Sequence, residues 1–389
     1  MTDLTNADVM TPPEGRAYRI SFGHIEIGDV ARRWLNEALD RHWVSEGPNV
    51  RRFEQEFARQ FGSRHAIATS SGTDAGIVAM SALLERGAQR GDEVITPALA
   101  FAATANCILA AGLVPRFVDV ELPTLNINPA LIEAAITPRT RALQVVHTMG
   151  KPCAMSPILA IATRHRLAVI EDCCEAHGAT LNGQVVGSFG EMALFSFYAA
   201  HMICSGEGGM ISTHDEAWAA LCRSIRTHGR RGGERAFHFD RVGVNSKMND
   251  LEAAIGLEGL ERFDQTFAIR RRHLARLWEL LRPLQDRVIL YPDAPGEVIC
   301  PHAFPLALRD ASRSIDGLSR HLESHGIQCK TLFGSLPTQH RAFAFLGYRP
   351  GQFPVAERIG RTGLHFGIHQ YLTDDDIAYA AERVSAYFA

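Results

Sequence analysis

From about residue 52 the chain alternates short apolar runs with longer amphipathic ones, and this alternation decides the fold class. Helices are expected over 53–61, 73–85, 102–111 and 156–165, and strands over 66–69, 93–96, 114–118, 142–147 and 167–171. Short apolar strands separated by helices build an α/β fold whose mostly parallel sheet is covered on both faces. The texture changes after about residue 250. Helices over 251–263 and 263–281 lead into a mixture of strand (300–308) and helix (312–325, 374–387). A large domain over 1–255 and a smaller C-terminal α+β domain over 256–389 are expected, with the first 50 or so residues packing on the smaller one. Within 263–281, Phe263, Phe267, Leu274, Leu277 and Leu281 share one face. Arg270, Arg271 and Arg272 fall mostly off that face and read as solvated.

Composition removes several classes of function. A net charge of −3 and a pI near 6.6 leave no electrostatic footprint for nucleic acid or an anionic membrane. The opening MTDLTNADVM is acidic and lacks the apolar core of a secretory leader. The longest apolar run, 98–115, is interrupted by Thr104 and Asn106 and reads as a buried helix, not a membrane span. Eight cysteines form no CxxC and no zinc spacing, and adjacent Cys173 and Cys174 read as buried thiols beside a strand. A reduced, cytoplasmic protein without a resident metal is expected. The arginine-bearing stretch 230–241 either holds a small anion or is a solvated loop.

Three segments carry chemistry. "TSSGTDA" (69–75) joins a strand to a helix, where glycine permits a tight turn and the first helical amides are free for an anion. "AVIED" (168–172) ends a strand in two acids, at the sheet edge where α/β proteins bind ligands. A buried carboxylate there needs a cationic partner, such as a protonated pyridine nitrogen. "FSFYAAH" (195–201) precedes "GEGG" (206–209).

Taken in order, these pieces resemble the sugar aminotransferases of the DegT/DnrJ/EryC1/StrS family, which are pyridoxal phosphate enzymes of fold type I. The likeness extends through "GDEVITPALAFAATAN" (91–106), "EDCCEAHGA" (171–179), "GVNSKMNDLEAAIG" (243–256) and "GLHFGIHQYL" (363–372). It implies a cofactor phosphate held by the amides of Gly72 and Thr73 and by the Ser196 hydroxyl. Phe101 then stacks on the pyridine ring, and Asp172 pairs with its nitrogen. Glu175 occupies the place, near the ring hydroxyl, where the aminotransferases carry glutamine. Asn245 is similar to a residue that reaches the phosphate from a partner subunit, which implies a homodimer with shared active sites.

One position departs from the family pattern. The aminotransferases read "SF-[YH]-P-x-K", with the lysine bonded to the cofactor aldehyde, and here that place is taken by His201. An imidazole forms no stable bond of that kind, yet it moves protons near neutral pH. The same replacement marks the family's sugar 3-dehydratases. The resemblance therefore implies loss of the carbon-3 hydroxyl from a nucleotide-linked 4-keto-6-deoxy-hexose. The cofactor would be in its amine form, pyridoxamine 5'-phosphate, with His201 as acid and base. His228 resembles a second histidine of that branch and is either near the sugar or on a surface loop. Members that use an iron–sulfur cluster carry closely spaced cysteines after the histidine motif, whereas this chain has only Cys222 between Cys204 and Cys300. Regeneration from L-glutamate, with a GDP-linked substrate, is the implied alternative. Two other readings stay open: a sugar aminotransferase with an atypical base, and an inactive, cofactor-binding regulatory homologue.

Overall fold

A computed structural model describes residues 18–232 and 237–389. Its strands, in chain order, are β1 His65–Thr69, β2 Glu93–Pro97, β3 Val114–Val118, β4 Thr140–Val146, β5 Ala168–Asp172, β6 Thr180–Leu181, β7 Gln184–Val185, β8 Met192–Ser196, β9 Gly209–Thr213, β10 Val288–Leu290, β11 Glu297–Val298, β12 Phe304–Leu308, β13 Cys329–Thr331 and β14 Gly363–Phe366. Seven of them form the main sheet in the order β1-β9-β8-β5-β4-β2-β3. All neighbours from β8 to β3 pair in parallel, while β9 runs antiparallel to both β1 and β8. The sheet is mostly parallel and covered by helices, the α/β class that the sequence implies.

Helices cover both faces of this sheet. On one side Gly72–Glu85 and Ala102–Ala110 bury Val78, Met80, Ile108 and Leu194 together. On the other, Pro48–Phe61 presents Phe53, Phe57 and Phe61 to Phe195 and Phe197. The period of two along a strand explains what happens at the end of β8: with Phe195 and Phe197 turned into this aromatic core, Ser196 is turned to the opposite face. A four-stranded antiparallel sheet, β10-β12-β14-β13, carries the C-terminal core of Leu274, Leu277, Leu306, Leu318, Phe366 and Ile377. Residues near the start are tied to it: Ile20 bridges Ile327, the Phe22 amide donates to the Gln328 side chain, and Arg19 pairs with Asp376.

Several sequence expectations are corrected. The apolar run 98–115 is not one helix: Ala102–Ala110 is helical, and the chain then turns at Gly112 (φ 83°) into β3. The 300–308 run is strand only over Phe304–Leu308. Among the arginines of helix Phe263–Leu281, Arg270 is 2% exposed, not solvated. The helix is gripped on more than one side there, so position on a single apolar stripe does not decide burial. Arg271 is also paired, with Asp293.

Candidate active site

The site lies at the carboxyl ends of the parallel strands. The Gly72–Glu85 helix starts where β1 ends. Its cap, Ser71, accepts the Asp74 amide, so the amides of Gly72 and Thr73 lie in the first turn, where a helix supplies no partner. Space is what demands glycine here. A Cβ on Gly72 would stand 2.6 Å from the Ser196 Cβ, and one on Gly209 would stand 2.3 Å from the Ser71 carbonyl oxygen. The two glycines let β8, β9 and the helix start converge, forming a cup of amides plus the Ser196 hydroxyl that suits a phosphate.

At the end of β5 the two acids divide by face. Glu171 is fully buried, accepts the amides of Gly187, Phe189 and Gly190, and meets His147 Nε2 at 3.1 Å. It is thereby saturated and structural. Asp172 faces the other way and is half-buried. Its partners are the Thr104 hydroxyl at 3.0 Å and the Cys174 amide at 3.2 Å, and among the described residues no cation pairs with it. A carboxylate placed so, within one helix of an exposed aromatic (Phe101, 64% exposed), fits a protonated pyridine ring that brings its own positive charge.

Glu175 accepts the Met149 amide at 2.7 Å through one oxygen, and its other oxygen lies 3.6 Å from His302 Nε2. Burial pushes its carboxyl up to about 8, against the Met149 bond and helped by the Asp172 charge. It is a neutral acid at pH 7.

His201 lies in the turn after β8. Its Nδ1 meets the Ser196 carbonyl oxygen at 2.8 Å. A carbonyl only accepts, so Nδ1 carries the hydrogen and the lone pair is on Nε2. Burial lowers the imidazole to about 4, opposed by the Ser196 bond and assisted by Arg270. The ring stands 5.2 Å from that of His302 and 6.1 Å from that of His177. Lysine occurs at only three positions. Lys151 is tied to Glu297 and the Pro292 carbonyl, Lys247 donates to Asn245, and Lys330 sits on β13 opposite His365.

The structure thus brings together Gly72, Thr73 and Ser196 in one cup and sets Asp172, Glu175 and His201 on neighbouring strand ends. His228 and Asn245 form a separate pair. Thr227 bridges Asn245, and the His228 amide bonds the Val244 carbonyl. Both side chains are exposed, and neither bonds to His201. In the 230–241 stretch Arg231 pairs with Asp240 and Arg241 with Glu85; Arg235 lies outside the described residues. Sequence reasoning missed Thr104, His302 and Arg270. Thr104 was accessible in principle, because it lies three residues from Phe101 on one helix. His302 and Arg270 come from distant segments that only tertiary packing brings here.

The chain is similar in sequence and fold to known proteins. The profile of the DegT/DnrJ/EryC1/StrS aminotransferase family matches residues 26–385. A dTDP-4-dehydro-2,6-dideoxy-D-glucose 3-dehydratase of Saccharopolyspora spinosa is 36% identical over 91% of this chain and 83% of its own. A GDP-perosamine synthase of Caulobacter vibrioides is 37% identical over 92% of this chain and 95% of its own. The solved E. coli GDP-4-keto-6-deoxy-D-mannose-3-dehydratase with bound hydrated PLP superposes with a TM-score of 0.87 at 27% identity, covering 95% of this chain and all (100%) of that one. No helix among the described residues is long and apolar enough to cross a membrane. The chain belongs to the DegT/DnrJ/EryC1/StrS aminotransferase family.

Proposed function

We propose that this chain is a pyridoxamine phosphate-dependent dehydratase that removes the carbon-3 hydroxyl of a nucleotide-linked 4-keto-6-deoxy-hexose. The observation that carries the reading is the neutral imidazole of His201, its lone pair on Nε2, standing where the family's aminotransferases place lysine. When bound, the cofactor supplies an amine for the keto carbon and a protonated ring that draws electrons from the neighbouring C–H bond. The rest is done by the protein. The Gly72 and Thr73 amides and the Ser196 hydroxyl hold the phosphate, and Phe101 covers the ring. Asp172 keeps the proton on the pyridine nitrogen, and neutral Glu175 donates its hydrogen to the ring hydroxyl. His201 Nε2 takes one proton and returns it to the departing hydroxyl, which leaves as water. No lysine competes for the cofactor, so the bound sugar stays long enough to eliminate.

Among the relatives, two are 3-dehydratases by name, and a variant of the GDP-linked one has been solved with bound GDP-perosamine (TM-score 0.86, 27% identity). These support a nucleotide sugar substrate; that it is GDP-linked and that L-glutamate restores the amine belong to our reading. We further propose a cytoplasmic homodimer with shared sites. His228 and Asn245, joined on one exposed segment, would enter the partner's site together. The split into 1–255 and 256–389 domains belongs to the same reading.

Incubation with pyridoxamine phosphate, glutamate and GDP-4-keto-6-deoxy-mannose tests it. Release of ammonia with a 3-deoxy sugar is expected. A stable amino-sugar product would make the chain an aminotransferase, as the similarity to GDP-perosamine synthase would also allow. Retained cofactor binding without turnover would make it a regulatory homologue.

A further inference from the structure

Arg270 is a buried guanidinium with no acid beside it. It is 2% exposed, and among the described residues no carboxylate pairs with it. Its Nε donates to Gln370 Oε1 at 2.9 Å, and its two terminal nitrogens approach the carbonyl oxygens of Ala200 and His201 at 3.5 and 3.4 Å. Burying an uncompensated cation is costly, so a helix that keeps one here is keeping it for its field. We propose that Arg270 is a positioning residue for His201: it grips the backbone at 200–201 and brings an unneutralised positive charge to the segment that carries the imidazole.

The groups around the two side chains fit that role. His201 faces His177, His302 and Tyr198, with no carboxylate among them. Arg270 is surrounded by Cys204, Cys300, Tyr371 and His369, again without an acid. The Arg270 charge lowers the proton affinity of His201, His177, His302 and His369 together. For the reaction this matters in both directions. Before the proton transfer it adds to burial in keeping Nε2 unprotonated, and afterwards it makes the imidazolium a stronger acid, which pushes the proton onto the leaving hydroxyl. One proton is taken and the same proton is given back, so the histidine ends as it began.

The inference rests on His201 being the base, and its test separates the two claims. In cofactor-free protein with isotope-labelled histidine, the His201 resonance is assigned by its loss in His201→Asn and followed through a pH titration. Arg270→Gln removes the charge. Gln370→Glu is isosteric and places a counter-charge on the guanidinium, so it carries the test if the first variant does not fold. Both are expected to raise the His201 midpoint by about one pH unit, a tenfold change in its protonated fraction. Arg270→Lys, which keeps the charge, is expected to leave it in place. In the loaded enzyme, Arg270→Gln is expected to lower kcat about tenfold with KM unmoved. An unmoved midpoint in both Arg270→Gln and Gln370→Glu, or an equal movement in Arg270→Lys, would overturn the assignment. Full activity in His201→Asn would instead remove the base from the proposed function while leaving the electrostatic claim standing.

Discussion

At the residue scale the account depends on which hydrogen sits on which nitrogen. The Ser196 carbonyl fixes the His201 tautomer, and burial then keeps the ring neutral. His201→Asn retains a polar side chain but loses the proton-carrying nitrogen. Its turnover is expected to fall by about 10²–10⁴, the usual worth of a general acid–base, with cofactor affinity unchanged as measured by equilibrium dialysis. Asp172 makes a separate prediction. With only the Thr104 hydroxyl and the Cys174 amide as partners, Asp172→Asn no longer holds a proton on the ring nitrogen. Phosphate-cup binding is expected to persist while turnover drops about a hundredfold or more, and an active Asp172→Asn enzyme would contradict the pairing.

At the element scale the site is a convergence of strand ends, and its tolerances are steric. The Cβ of Gly209→Ala would press on the Ser71 carbonyl and the Gly72 amide, at 2.3 and 2.7 Å. That displaces the first turn of the Gly72–Glu85 helix. The cofactor Kd is expected to rise about tenfold, roughly 1.4 kcal/mol, while circular dichroism stays native; an unchanged Kd would place the phosphate elsewhere. The legibility of the sequence follows the same division. Strands β1 to β5 were readable because each is a compact apolar run between turn signals, and the residues of the phosphate cup sit in contiguous motifs. β8 and β9 were not assigned. Met192–Ser196 and Gly209–Thr213 bracket the residues that carry the motifs, and the antiparallel direction of β9 depends on pairing with β1, a segment some 140 residues away by the register Ile67↔Ile211. Arg270 was misread because helical periodicity shows which stripe is apolar but not how many neighbours the helix has. The packing of His302 and His177 against His201 is invisible in the sequence for the same reason: nothing local marks what folds against a residue.

At the scale of the whole molecule, the histidine-rich interior sets the pH range of the fold. His201 and His369 are lowered to about 4 and His365 to about 3, chiefly by burial, and His177 and His302 lie well below their ordinary value. In the unfolded chain all five titrate near 6.5. Between about pH 6.5 and 4 the unfolded state therefore binds protons that the folded state refuses, and stability falls as pH falls through that window. Glu175, raised to about 8, works in the opposite sense: its folded-state proton stabilises below about 4.5, and that contribution is lost as pH rises towards 8. These five histidines and His273 outnumber the raised carboxyls Glu175, Glu54 and Glu252, so the Tm of the cofactor-free protein is expected to rise from pH 4 to about 6.5; a flat profile would mean the histidines are solvated. The claim on which the function depends is that nothing in this protein bonds covalently to its cofactor, because His201 stands where the family's aminotransferases offer an amine. Borohydride treatment of the pyridoxal phosphate-loaded enzyme, followed by intact-mass measurement, tests it directly. The wild type is expected to keep its unmodified mass while His201→Lys gains the mass of the reduced cofactor; a cofactor adduct on the wild-type chain would contradict the account.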